Sequence, residues 1–366
     1  MNVASRFQGI VAVALFLLSV VSTATAKYSG GTGEPNDPYQ IATAADLIAL
    51  GQDPNDYDKH FVLTADIDLD PNLPGRKVFD KAVIAADTDH YKDWLQGVPF
   101  TGVFDGKGHT ISHLTIKGGC YLGLFGYLGF EAEVKGLAVV DVNIITGWGH
   151  SIGGLVGANS GGTLTHCYST GTVSSNSEVG GLVGGNYDGA VTQCYSTCAV
   201  SSTWGTVGGL VGVSSYGTVT ACYSTGAVSG NACVGGLVGC NEAGPVTQCY
   251  STGVISGTDF VGGLVGGNSP SIGDEGVVGD CFWDIQTSGQ AASAGGTGKT
   301  TAEMQTASTF LDAGWDFVDE TANGMEDIWW IDEGKDYPRL WWERVLGDDF
   351  EDGKAEPLWM VYEPEP

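Results

Sequence analysis

The stretch Ser293-Ala294-Gly295-Gly296-Thr297-Gly298-Lys299-Thr300 approaches a phosphate-binding loop. In such a loop glycines open the backbone to the phosphate and a lysine reaches its outer oxygens. Its first position is Ser where the loop needs Gly, and no strand-helix-strand frame surrounds it, so it reads as a glycine-rich connector. The six histidines (His60, His90, His109, His113, His150, His166) include no His-Glu-x-x-His pair of a zinc peptidase. Asp66, Asp68 and Asp70 alternate along one strand and offer the oxygens that calcium takes. The residues before them lack the glycine and closing glutamate of a calcium loop, so they read as a solvated edge. A polysaccharide lyase needs a basic residue beside carboxylates, and a glycosidase a carboxyl pair at a set separation. Here Glu178, Asp188, Glu242 and Asp259 fall at unrelated positions, and Arg76, Arg339 and Arg344 lie far from them in sequence. No catalytic, cofactor-binding or metal-ligating residue is assigned, and no cofactor is expected.

What recurs is a contact surface. Cys-Tyr-Ser-Thr stands at Cys167, Cys194, Cys222 and Cys249, in steps of 27, 28 and 27 residues. Gly-Gly-Leu-Val-Gly begins at Gly153, Gly180, Gly208, Gly235 and Gly262, in steps of 27, 28, 27 and 27. Two words on one clock mean that a whole structural unit is repeated, as in a solenoid. The unit is rich in Val, Thr, Tyr and Ser and has no three-four apolar spacing, which favours strands. It is too short for a propeller blade and lacks a leucine-rich frame, whereas three short strands fill it. Each unit is therefore read as one coil of a parallel β-helix, rising about 4.8 Å per coil.

Strand alternation then sorts the side chains. With Cys167 and Ser169 inward, Tyr168 faces out, and Tyr195, Tyr223 and Tyr250 continue an external file of rings. These four tyrosines are the candidate ligand contacts, an uncharged strip suited to a neutral glycan or a protein. Cys167, Cys194, Cys222 and Cys249 are expected as an inward column of buried thiols. With nine cysteines in all, at least one stays unpaired within the chain. Leu155, Leu182, Leu210, Leu237 and Leu264 are expected inside, and the neighbouring valines on the opposite, covered face.

The Gly-Gly-Leu-Val-Gly block followed by Cys-Tyr-Ser-Thr-Gly and a Val-Ser ending resembles the GLUG-motif repeat of bacterial secreted and surface proteins, closest over residues 152–284. The resemblance implies a β-helical extracellular module of the kind found in adhesin-like proteins and beside some immunoglobulin A-cleaving peptidases. It implies no catalytic residue within the repeat.

The flanks complete the plan. Met1 to Ala26 pairs Arg6 with an apolar core and ends in Ala24-Thr25-Ala26, which reads as a secretory signal peptide cleaved after about Ala26. Residues 27–118 are expected to cap the solenoid and supply its first coil or coils. Within them Thr43 and Asp46 resemble a capping box before a short plugging helix that stops at Gly51. Residues 119–151 read as a degenerate copy, followed by repeats at 152–178, 179–206, 207–233, 234–260 and 261–284. Residues 285–346 form an aromatic cap, with a helix from Thr300 to about Phe310 and a closing strand over Tyr337–Trp342. Residues 347–366 are an acidic tail or linker. The formal charge is -28, and no Lys or Arg occurs between Gly136 and Gly298, which excludes nucleic-acid binding through the repeats. The expectation is thus an all-β, right-handed parallel β-helix of about six coils, secreted or on the cell surface without a transmembrane span. It serves as a non-catalytic scaffold that binds glycans or proteins. The alternative is an extracellular carbohydrate-active enzyme with its site on the cap modules.

Overall fold

The structure, a computed structural model, describes residues 27–89, 95–268 and 276–348. The stretch expected to be a signal peptide (1–26), His90 and nearly all of the stretch expected to be an acidic tail lie outside the described residues. One coil shows the plan. Val183–Tyr187 forms a first strand, Ala190–Thr192 a second, and Tyr195–Ser196 with Ala199–Ser202 a third. Each pairs in parallel with its equivalents one coil away: Val183 with Val156 and Val211, Val191 with Leu164 and Val219, Tyr195 with Tyr168 and Tyr223. Six strands stack on the first face and nine on the second, so the chain is a parallel β-helix with about six full coils. The corner before each cysteine is turned by a left-handed residue: His166, Gln193, Ala221, Gln248 and Asp280 all have φ near +50°. A non-glycine residue adopts this conformation at a cost, which the ladders on either side offset.

The glycine pair explains the GGLVG word. A side chain on Gly181 would meet the Ser196 hydroxyl at 2.1 Å and the Gly209 carbonyl at 2.2 Å. The chain therefore bends at Gly181-Leu182, and the first strand begins only at Val183. Leu182 sits in the bend, not in the strand, so the alternation rule does not apply between it and Val183. Both point inward, as do Leu155 with Val156 and Leu210 with Val211. The leucine column lies inside as expected, but the valines need no outside cover, because the bend turns them to the same core.

The first face carries a second inward ladder. Asn159 donates to the Gly162 carbonyl and to Asn186 Oδ1, both at 2.9 Å, and Asn241 donates to Asn268 Oδ1 at 3.1 Å. The Cys167, Cys194, Cys222 and Cys249 column is buried and Cys281 extends it; these and the other four cysteines are free. Burial pushes up the thiols of Cys167, Cys194 and Cys249. Each instead accepts or donates a main-chain hydrogen bond, as when the Cys167 N–H donates to Cys194 Sγ at 3.4 Å.

At the start, Thr43 and Asp46 form the capping box of the helix Ala44–Gln52, which buries Leu47 and Leu50. Gly51 does not end this helix. Its role is contact, because a Cβ there would lie 1.8 Å from the Val83 carbonyl. Tyr39–Ile41, His60–Leu63 and Val103–Asp105 add the first rungs of the second face, so this module belongs to the solenoid. At the far end, Thr297–Lys299 pairs with Phe282–Asp284, and the Ser293 hydroxyl accepts from the Leu264 and Val265 N–H groups. The phosphate-loop-like stretch is thus a closing half-coil. The helix expected from Thr300 to Phe310 is two short ones, Thr301–Met304 and Ala307–Leu311. The expected strand over Tyr337–Trp342 is confined to Arg339–Leu340, and Trp341 begins the helix Trp341–Asp348.

Candidate functional site

The tyrosine file exists. Tyr168, Tyr195, Tyr223 and Tyr250 stack with ring centroids 4.7, 4.8 and 5.0 Å apart and planes within 6° of parallel. They point out of the solenoid core, yet Tyr223 and Tyr250 are fully buried. The C-terminal segment folds back along this face. Trp329 lies 6.4 and 6.0 Å from Tyr223 and Tyr250, and Trp342 lies 5.8 Å from Tyr195. The expected free strip is corrected accordingly: the stacked rings cover one another's faces and bury their outer side against tryptophans of the same chain, which removes more apolar area from water than leaving them exposed. Only Tyr168 and Tyr195 stay half-buried.

The segment is pinned by polar contacts. Tyr223 Oη donates to Glu343 Oε2 at 2.8 Å, Tyr250 Oη donates to the Pro338 carbonyl, and the Leu340 N–H donates to Glu343 Oε1 at 2.8 Å. Burial pushes the Glu343 carboxyl up to about 7, against the pull of the Tyr223 hydrogen bond and Arg339.

A second aromatic set lies where the third face turns into the next coil. The 28-residue step places one additional residue in this turn, and Trp204-Gly205 fills it. Trp204 is 77% exposed. Its N–H donates to the Asn176 carbonyl at 3.0 Å, as does that of Gly205 at 2.7 Å, which fixes the turn. Phe260, in the equivalent turn two coils on, is 72% exposed, and Trp148, in the turn two coils before, 47%. Turns two coils apart are separated by about 10 Å. Sequence reasoning missed these rings because they stand outside the repeated words; the 28-residue step was the available signal.

A third cluster joins residues that the sequence left scattered. Ser151 Oγ donates to Glu178 Oε2 at 2.6 Å, Tyr187 Oη to the same oxygen at 3.1 Å, and His150 Nδ1 lies 3.8 Å from it. The His150 imidazole is held above its ordinary range first by Cys120, against burial, with Glu178 adding attraction. This order of thiol, imidazole and carboxylate can share a proton, but Cys120 is only 8% exposed and faces Tyr121 and Ala158. The cluster is thus closed to a bulky substrate. His113 Nδ1 and His109 Nδ1 lie 2.9 and 3.2 Å from Asp68 and Asp66 Oδ1, so the aspartate face is an edge hydrogen-bonded to histidines. Among the described residues no group of His, Cys, Asp and Glu is placed to hold a metal.

The fold and these surfaces define a parallel β-solenoid whose coils are short sequence repeats. The GLUG motif matches residues 149–174, 175–201 and 230–256, so the chain carries GLUG-motif repeats. It is similar to halomucin of Haloquadratum walsbyi, 35% identical over 161 residues, 42% of this chain and 2% of that protein. A provisionally described Gly-rich membrane protein of Evansella cellulosilytica is 44% identical over 63 residues, 17% of this chain and 6% of that one. The chain therefore spans a small part of the curated relatives it matches. A solved structure from Bacteroides ovatus, provisionally an immunoglobulin A1 protease, superposes with a TM-score of 0.60 at 19% identity. It covers 86% of this chain and 95% of that one, and the likeness is one of fold.

Proposed function

We propose that the protein is a non-catalytic extracellular scaffold, adhesin-like, whose solenoid presents neutral glycans with an edge of exposed aromatic rings. The observation that carries this reading is Trp204, an indole 77% exposed in the one turn that the 28-residue step lengthens. An indole in water is costly unless something covers it, and a flat ring matches the apolar face of a sugar. Phe260 and Trp148 repeat the offer two coils to either side. The repeats hold no Lys or Arg, so an ionic grip on an anionic chain is absent from this surface. The signal-peptide reading of residues 1–26 supports an outside location. Among the described residues no helix is long and apolar enough to cross a membrane. A glycan array probed with residues 27–366 tests the reading: enrichment of uncharged oligosaccharides is expected, and binding confined to anionic ones contradicts it.

One observation favours the enzyme alternative. A hollow of about 400 Å³ in the N-terminal module is lined in part by Lys77, Asp80 and Lys81, a base-and-acid set of the kind a polysaccharide lyase uses. Release of unsaturated product from uronate polymers, absorbing in the ultraviolet, would select it over the scaffold reading.

A further inference from the structure

In each GLUG coil two positions seven residues apart flank the glycine bend: Ser151 and Ala158, Glu178 and Gly185, Thr206 and Val213, Cys233 and Cys240, Phe260 and Gly267. One coil alone places cysteine at both. Cys233 lies in the short strand Ala232–Gly235 and Cys240 in the strand Val238–Glu242, with the bend at Gly236-Leu237 between them. The bend sets the two thiols side by side, both against the same point above Gly267. Gly267, one coil on, gives them room: a Cβ there would stand 3.3 Å from Cys233 Sγ and 3.7 Å from Cys240 Sγ. Cys240 is buried and Cys233 half-buried, so one residue of the pair borders solvent. The core column differs in its exposure. Cys167, Cys194, Cys222, Cys249 and Cys281 are sealed inside and hydrogen-bond main-chain atoms.

We infer that Cys233 and Cys240 are a disulfide-forming pair, oxidised by a thiol-disulfide oxidant such as glutathione disulfide, that cross-links the turn to the first strand of its own coil. The Cys233 thiolate attacks one sulfur of glutathione disulfide and expels the other half as a thiolate, leaving a mixed disulfide on Cys233. The Cys240 thiol gives its proton to solvent and attacks Cys233 Sγ, and the second glutathione leaves. Two protein thiols are oxidised to one disulfide while one disulfide is reduced to two thiols. The hydrogen bond from Cys240 favours the thiolate of Cys233, drawing it down to about 7, which makes it the first attacker. The turn so locked stands between those that carry Trp204 and Phe260, but the pairing does not depend on what that edge binds.

The test uses residues 27–366 purified under reductant, then exchanged into oxidised glutathione. Thiols counted after denaturation should fall from nine to seven, from the nine cysteines of the sequence less two, with the mass lower by about 2 Da for two hydrogens. No Lys or Arg lies between Gly136 and Gly298, so the linkage is mapped by chymotrypsin, which should yield Cys233 joined to Cys240. Cys240→Ser should instead retain one glutathione on Cys233, removable by dithiothreitol, with circular dichroism unchanged. Nine surviving thiols, a bridge between other cysteines, or a wild-type chain that stops at the glutathione adduct would each overturn the inference.

Discussion

At the scale of the residue, the asparagine ladder shows how one substitution leaves a defect. Asn159 and Asn186 form one run and Asn241 and Asn268 another; Ser214 stands between them. The Ser214 hydroxyl is reached by Asn186 Nδ2 only at 3.5 Å, and it spends its own hydrogen on the Gly217 carbonyl. Asn241 Oδ1 is left buried without a partner. An unpaired buried acceptor carries a desolvation penalty of about 1 to 3 kcal/mol. Ser214→Asn offers Oδ1 to Asn186 and an N–H to Asn241, and should raise stability by about 1 kcal/mol, read as a higher Tm and denaturant midpoint. An unchanged or lower midpoint would mean that the coil has no room for the longer amide. The leucine in the bend is the opposite case. Leu210 is wholly buried, and Leu210→Ala should cost about 2 to 5 kcal/mol in chemical denaturation.

At the scale of the element, the C-terminal segment is held to the tyrosine ladder by a carboxyl that burial disfavours. Glu343 has its pKa raised from an ordinary carboxyl value to about 7, so the folded state binds the proton more tightly than the unfolded one. The sign follows: its contribution is most favourable at acid pH, below the ordinary value. Stability is then lost as pH rises through that value up to about 7, and the loss is constant above. Glu343→Gln keeps the Tyr223 hydrogen bond without the charge, so it should unfold at a higher temperature than wild type at pH 8 and lose that advantage near pH 4. An advantage that grows toward acid would contradict the buried-carboxylate account. The same element shows where sequence reading stopped. Trp315, Trp329 and Trp342 could be read as an aromatic cap, but not that they would lie along the solenoid's side. That placement depends on tertiary contacts such as Trp329 with Tyr250, between residues far apart in sequence, and no local period encodes them. The helix Trp341–Asp348 was hidden for a related reason: Tyr337-Pro338 suggested an extended run, and a two-residue strand ended it.

At the scale of the whole molecule, the coil count, the parallel stacking and the inward Cys and Leu columns were legible, because a duplicated unit can satisfy its strands only by pairing with its copies. The inward valines were not, because alternation fails at the Gly181-Leu182 bend, and the glycines read as sequence did not reveal how closely the Ser196 hydroxyl approaches. The candidate surface was half legible. The tyrosine file is written in the repeated words and its cover is not, and Trp204 stands outside those words. The turn edge is the proposed binding surface, and the ladder is internal support. The most direct test titrates one uncharged oligosaccharide, the strongest binder on the array, against wild type, Trp204→Ala/Phe260→Ala and Tyr168→Ser/Tyr195→Ser, with Tm measured alongside. The account predicts that the edge variant loses about tenfold or more in affinity at unchanged Tm, about 1.4 kcal/mol, while the ladder variant melts earlier and binds as wild type does. Full affinity in the edge variant with loss in the ladder variant would contradict it.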